Sequence, residues 1–180
     1  MNKHKRIILG VTGSIAAYKA ADILRRLQEK GYNVSVVMSE SAEHFITPLT
    51  LSSLAGEEVY RSSLRDAASA WQMPHIRLAE SADCVLIAPA TANIIGKIAC
   101  GIADDLLTCI LLGTQAPILI APAMNTHMYK NKIVQDNCAK LKKYGIKFIE
   151  PVKGNLACGI TDDGHIADVE DIVQAVTRVV

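Results

Sequence analysis

Aromatic side chains are scarce: two Phe, one Trp and five Tyr, 4% of 180 residues. A platform on which successive nucleic-acid bases stack is therefore excluded. An excess of one charge is missing too. Nineteen Lys and Arg face 18 Asp and Glu, the formal net charge is +1, and no basic block or stripe occurs. This argues against nucleic acid and against an anionic membrane surface as partners. No apolar run reaches the ~18 residues of a membrane span. The basic start, Met1 to Arg6, passes straight into strand-like sequence without a small-residue cleavage site, so it does not read as a signal peptide. The five cysteines (Cys84, Cys100, Cys109, Cys138 and Cys158) form no C-x-x-C pair and are odd in number. A reduced, cytoplasmic protein is the natural reading. Cys84, Cys100 and Cys109 lie in apolar strand or helix patterns and read as buried small hydrophobes. Also absent are G-x-G-x-x-G, Walker A, G-x-S-x-G and any His/carboxylate cluster with metal-ligand spacing, so no metal site is expected.

What is present suits one globular domain over residues 1–180. Half the residues are apolar and 21% are charged. Arg6 to Val11 reads as a short apolar strand. Thr12-Gly13-Ser14 then opens a helix in which Ala16, Ala20, Ile23, Leu24 and Leu27 recur at helical spacing, ending at Gly31. Asn33 to Met38 is a second strand, so the unit has the length of a βαβ crossover. Further helices are predicted at Pro48–Ala55, His75–Ser81, Ala92–Cys100, Asp104–Gly113, Lys132–Tyr144 and Val169–Val180. Further strands are predicted at Val59–Tyr60, Asp83–Ala88, Ala116–Ala121 and Ile146–Glu150. Arg61 to Pro74 reads as an exposed, mobile segment, and Pro151 to Asp168, with its three glycines, as loop. Strands apolar on both faces, alternating with helices, imply a parallel sheet covered on both sides.

Two strands end alike, Leu86-Ile87-Ala88-Pro89-Ala90-Thr91-Ala92-Asn93 and Leu119-Ile120-Ala121-Pro122-Ala123-Met124-Asn125-Thr126-His127-Met128-Tyr129. They should set two polar loops at the carboxyl edge of the sheet, where open parallel sheets bind ligands. Gly10-Val11-Thr12-Gly13-Ser14-Ile15 is either a phosphate-binding turn at a helix N-terminus or a plain tight connection. Ser39 either adds a hydroxyl to the same phosphate or caps the next helix. A mononucleotide such as FMN fits better than NAD, because Met38 and Ser39 stand where an acidic ribose ligand should end the second strand. Asp104-Asp105 reads first as a helix cap. His75 is a lone histidine. Cys158 lies in a glycine-flanked loop, either incidental or a reactive exposed thiol.

Taken in order, Gly10 to Ala20, Thr47-Pro48-Leu49-Thr50-Leu51, Pro74-His75-Ile76, Ala88 to Asn93, Pro122 to Met128 and Ala157-Cys158-Gly159 span nearly the whole chain. With these stretches it resembles the homo-oligomeric flavin-containing cysteine decarboxylases. The resemblance implies a Rossmann-like three-layer αβα flavoprotein with a six-stranded parallel sheet, assembled as a homotrimer or homododecamer with FMN near the subunit interface. The A-C-G stretch points to the coenzyme A branch, whose substrate is 4′-phosphopantothenoylcysteine, rather than to the peptide-cysteine decarboxylases of lantibiotic synthesis. It implies FMN contacts from Thr12, Gly13, Ser14, Ile15, Ser39, Pro89, Ala90, Thr91, Ala92 and Met124. It further implies His75 as base, Asn125 as holder of the substrate carboxylate and Cys158 as late proton donor. The cysteinyl group would be oxidised against FMN, lose CO2 to leave an ene-thiol, and be reduced again to 4′-phosphopantetheine. Two departures stand out: His165 occupies a position where arginine is common, and the chain ends before the ligase domain of many bacterial members. The rival readings are a peptidyl-cysteine decarboxylase and a non-catalytic regulatory flavoprotein.

Overall fold

The computed structural model describes residues 5–61, 73–155 and 161–180. The chain alternates as its apolar pattern requires. β1 (Arg6–Val11) and β2 (Asn33–Met38) are buried along nearly their whole length, and β4 (Cys84–Ala90) along all of it. β5 is Ile118–Pro122; β3 (Tyr60–Arg61) and β6 (Lys147–Phe148) are two-residue edge strands. All six pair in parallel, in the order β3-β2-β1-β4-β5-β6. The order reverses between β1 and β4, which makes their carboxyl ends the switch point of the sheet.

Helices cover both faces. α1 (Lys19–Glu29), α2 (Pro48–Ala55) and α8 (Val169–Thr177) pack on one side, where Ile23, Leu24 and Leu27 meet Leu9, Val36 and Val173 in one core. α3 (Pro74–Ser81), α4 (Ala92–Cys100), α5 (Leu106–Gly113) and α7 (Lys132–Lys143) cover the other, around Ile8, Ile87, Leu107 and Ile110. Gly10 lets α5 come close: a Cβ there would lie 2.5 Å from Ile87 Cδ1 and 2.8 Å from Leu107 Cδ1.

Local signals set the helix ends. Thr47, Thr91 and Asp105 each accept a backbone N–H at the start of α2, α4 and α5, and Asp105 with Thr108 forms a capping box. The cap reading of Asp104-Asp105 is therefore the structural one, and Lys97 reaches across to Asp104 at 2.8 Å. Gly56 and Gly101 end α2 and α4 at positive φ.

Several expectations are corrected. Thr12 to Ser14 does not open the α-helix; a 3-10 turn, Ile15–Tyr18, comes first and α1 follows it. Residues 151–168 are not plain loop: β7 (Val152–Asn155) and β8 (Thr161–His165) form an antiparallel hairpin. A short helix, α6 (Thr126–Lys130), occupies the polar stretch after β5. Cys100 is exposed rather than buried, because it closes the last turn of α4 on the solvent side; Cys109 is half-buried. Most of the segment expected to be mobile, residues 62–72, and Cys158 lie outside the described residues. No helix among the described residues is long and apolar enough to cross a membrane.

Candidate functional site

Thr12, only 2% exposed, stands at the switch point just past β1. Its hydroxyl donates to the Pro89 carbonyl at 2.7 Å and accepts the Thr91 N–H at 3.1 Å, and its own N–H also reaches the Pro89 carbonyl, at 3.3 Å. One side chain thus joins the ends of β1 and β4. The buried Pro89 and Ala90 form the floor beside it, and Thr91 turns the chain into α4 by capping Ile94.

The turn after Thr12 is built to lie close to its neighbour. A Cβ on Gly13 would sit 2.6 Å from Ser41 Cβ and 2.9 Å from the Ser41 carbonyl oxygen, so only glycine fits without displacing backbone. Ser14 caps the 3-10 turn by accepting the Ala16 N–H at 3.3 Å. Among the described residues, the N–H groups of Gly13 and Ile15 donate to no protein acceptor. Facing them, Ser39 caps Ala42 and shares a 3.2 Å hydrogen bond with the Ser41 hydroxyl. Each hydroxyl carries one proton and only one is needed between them, so the pair can offer an O–H outward. Both readings of Ser39, cap and anion donor, are compatible in this geometry. Two backbone donors, an O–H and a cradle that a methyl group would fill suit a phosphate.

The second half of the site follows β5. Ala123 donates its N–H to Ala90 at 3.0 Å, which sets the Met124–Asn125 loop beside the end of β4. The Ser14 hydroxyl donates to the Ala123 carbonyl at 3.3 Å, tying the glycine turn directly to that loop. Met124 is half-buried against the α4–α5 core, and its N–H donates to the Gly164 carbonyl at 3.1 Å. Asn125 caps α6: its Oδ1 accepts the His127 N–H at 2.8 Å. Gly164, at φ 124°, is pressed on the Met124 carbonyl, and His165 lies over Gly154, where a Cβ would be 2.8 Å from the imidazole Cγ.

Thr12, Gly13, Ser14, Ile15, Ser39, Pro89, Ala90, Thr91, Ala92, Met124 and Asn125 therefore share one edge, at the ends of β1, β2, β4 and β5. His75 is half-buried in the first turn of α3, which packs on α5. Two residues on, Arg77 donates to the Tyr60 hydroxyl at 2.9 Å and lies over its ring, anchoring α3 on the β3 side of the switch point, whereas Asn125 follows β5. Ser41 and Gly164 were not singled out in the sequence; the repeated serine after β2 was the available signal for the first.

Three of the described thiols, Cys84, Cys109 and Cys138, are poorly suited to attack. Burial pushes Cys84 up to about 12 and raises Cys109 and Cys138 as well.

Fold and site together define a Rossmann-like α/β protein whose switch-point cleft carries backbone donors and a close-packed glycine turn of the kind that suits a phosphate. The whole chain, residues 1–180, matches the Flavoprotein family, and the chain belongs to that family of flavin-binding proteins. It is 46% identical over 169 residues to the coenzyme A biosynthesis bifunctional protein CoaBC of Vibrio vulnificus, covering 94% of this chain and 42% of that one. The chain thus spans less than half the length of that curated relative. It is 45% identical to a probable phosphopantothenoylcysteine decarboxylase of Streptococcus mutans, covering 96% of this chain and 97% of the other. Among solved structures, a Cys-to-Ser mutant of PPC decarboxylase complexed with pantothenoylaminoethenethiol superposes with a TM-score of 0.89 at 34% identity, over 98% of both chains.

Proposed function

We propose that this chain is a single FMN-binding domain that decarboxylates 4′-phosphopantothenoylcysteine to 4′-phosphopantetheine, a carbon–carbon lyase step of coenzyme A biosynthesis. The observation that carries the reading is the Ser14–Ala123 hydrogen bond, 3.3 Å long, which fastens the phosphate turn to the Met124–Asn125 loop. Cofactor anchor and substrate anchor are thereby one rigid piece, as a redox decarboxylation requires. The match in length and sequence to the Streptococcus mutans protein points the same way.

Gly13, Ile15, Ser39 and Ser41 would hold the FMN phosphate, and Thr12, Pro89, Ala90, Thr91, Ala92 and Met124 would line its remainder. Bound FMN supplies reversible two-electron oxidation of the cysteinyl group. Asn125 orients the substrate carboxylate through its amide until CO2 leaves. His75 takes the proton released as the thiol is oxidised. Cys158, in the segment between β7 and β8, returns a proton at the end. Because α3 and Asn125 lie on opposite sides of the switch point within one chain, a homotrimer or homododecamer in which α3 of a neighbour completes the site accounts for the role given to His75. The free thiols at Cys84, Cys100, Cys109 and Cys138 suit a cytoplasmic setting.

The test is an absorbance spectrum of the purified protein, followed by incubation with 4′-phosphopantothenoylcysteine and mass analysis. Flavin bands with a product lighter by one CO2 are expected. Turnover only of a peptide ending in cysteine would replace the substrate, and a protein that cannot take up FMN would overturn the reading. Cys158→Ser is expected to release CO2 yet give a product two hydrogens short of 4′-phosphopantetheine; full product would remove Cys158 from the reaction. His75→Asn is expected to keep its flavin spectrum while CO2 release falls by 10²-fold or more, in the range of general acid–base contributions. An unchanged rate would remove it as base.

A further inference from the structure

Asn125 caps a helix of only five residues. A single turn of this kind lies far below the length at which a helix sustains itself in water. Its order must come from outside, and the contacts that supply it are specific. At its N-terminal end, Met124 donates to the Gly164 carbonyl of the hairpin at 3.1 Å. At its C-terminal end, Tyr129 does the corresponding work three times over. Its N–H donates back to the Asn125 carbonyl at 2.9 Å, closing the turn. Its carbonyl accepts the Gln135 side-chain amide of α7 at 2.6 Å. Its hydroxyl donates to Glu150 Oε2 at 2.6 Å, just past β6.

Glu150 is itself fixed. Its other oxygen, Oε1, accepts from Lys142 Nζ of α7 at 2.6 Å, and the Lys142 ammonium lies 5.3 Å from the centre of the Phe148 ring. The carboxylate therefore has one oxygen for α7 and one for α6. A charge-assisted phenol–carboxylate bond of this length is among the stronger hydrogen bonds available to a side chain. Glu150 lies away from a ligand at the switch point, since it follows the edge strand β6.

We propose that Tyr129 and Glu150 are positioning residues: their hydrogen bond holds α6 so that the Asn125 amide keeps its aim at the substrate carboxylate. This rests on the decarboxylase reading above for the identity of the substrate, but the mechanical part does not. With the bond cut, α6 keeps its N-terminal anchor and the Gln135 amide on the Tyr129 carbonyl but loses its side-chain tie to Glu150, and Asn125 samples orientations that do not meet the carboxylate. The cost falls on substrate binding, while the FMN phosphate turn, at the end of β1, is untouched.

The test uses the FMN-loaded protein as purified, with Tyr129→Phe, Glu150→Ala, Glu150→Gln and the double variant Tyr129→Phe/Glu150→Ala. Two readouts are taken. In steady-state kinetics, Tyr129→Phe and Glu150→Ala are each expected to raise KM three- to tenfold, more than they lower kcat, with FMN content unchanged. The double variant should be no worse than either single one, because both remove the same bond. Glu150→Gln keeps an acceptor oxygen for the phenol and should recover most of the KM. In hydrogen exchange followed by mass spectrometry, the peptide covering residues 124–131 should exchange faster in Tyr129→Phe and Glu150→Ala, with α1 and α4 unaffected. Wild-type KM in Tyr129→Phe, additive effects in the double variant, or unchanged exchange in the 124–131 peptide would each overturn the proposal. If the wild-type protein does not turn over this substrate, the decarboxylase reading fails by itself, and the exchange data still decide whether the pair orders α6.

Discussion

At the scale of a residue, Thr12 shows how much of the site hangs on one hydroxyl. The side chain is buried, and its oxygen serves both the Pro89 carbonyl and the Thr91 N–H. Thr12→Val keeps the shape and deletes both bonds. The Pro89 carbonyl keeps the backbone N–H of residue 12 as a partner, but the Thr91 N–H loses its acceptor. A buried donor left unsatisfied costs about 1–3 kcal/mol. The expected outcome is an unfolding free energy lowered by that amount, read as a lower urea midpoint at unchanged m-value, with weaker FMN retention because Thr91 borders the same cleft. An unchanged midpoint would mean that water replaces the hydroxyl. None of this was visible in the sequence, where Thr12 was one small residue in a glycine turn. Its partners lie 77 and 79 positions away, and periodicity carries no information about such pairs.

Among the elements, those that bury an apolar face were legible and those held only by contacts were not. β1 and β2 were placed to the residue, because continuous apolar runs bounded by polar residues have few alternatives. α2 and α4 were likewise placed by Pro48, Thr91 and the glycines that end them. The hairpin β7–β8 has no such face: Val152-Lys153-Gly154-Asn155 and Thr161-Asp162-Asp163-Gly164-His165 do not alternate, and their pairing comes from cross-strand hydrogen bonds and from Gly164 resting on Met124. α6 was missed for the same reason, being short and polar. Its dependence on Glu150 gives it a pH response. Burial alone would raise the Glu150 carboxyl, but the hydrogen bonds from Lys142 and Tyr129 outweigh it and hold the group below its ordinary value. A lowered folded-state value stabilises above the unfolded carboxylate range and is lost as pH falls through the folded value. Exchange in the 124–131 peptide is therefore expected to be flat from neutral pH down to about 5, after correction for intrinsic rates, and to accelerate below about 4. In Glu150→Gln this acid limb should vanish; its persistence there would assign the response to another group.

At the scale of the whole molecule, the parallel sheet covered by helices on both faces, and the gathering of the two Ala-Pro-Ala loops at its carboxyl edge, were the most legible features. Alternating strands and helices leave few topologies open, and in an open parallel sheet the ligand goes where the order reverses. That α3, which carries His75, is tied to Tyr60 near β3 while Asn125 follows β5 was not legible, since both belong to stretches that the resemblance treats as one site. A cleft lined by the ends of four strands couples cofactor binding to the stability of the entire sheet. FMN at a hundredfold excess over its Kd should add about 2.7 kcal/mol to unfolding stability. Stripping the cofactor is thus expected to lower the Tm in a manner that depends on FMN concentration. A Tm independent of FMN would mean that the folded protein does not bind FMN preferentially.

The order in which the chain leaves the ribosome bears on the same cleft. Its parts come from Thr12, Ser39, Thr91 and Met124, and the central strands β1 and β4 pair Ile7 with Cys84. Synthesis proceeds at about 5–20 residues per second, so roughly 4 to 17 seconds pass between Ser39 and Met124. Throughout that interval the glycine turn exists without the loop that Ser14 fastens to it. A flavin that binds this cleft can therefore be held only once Met124 has followed Ser39 out of the ribosome.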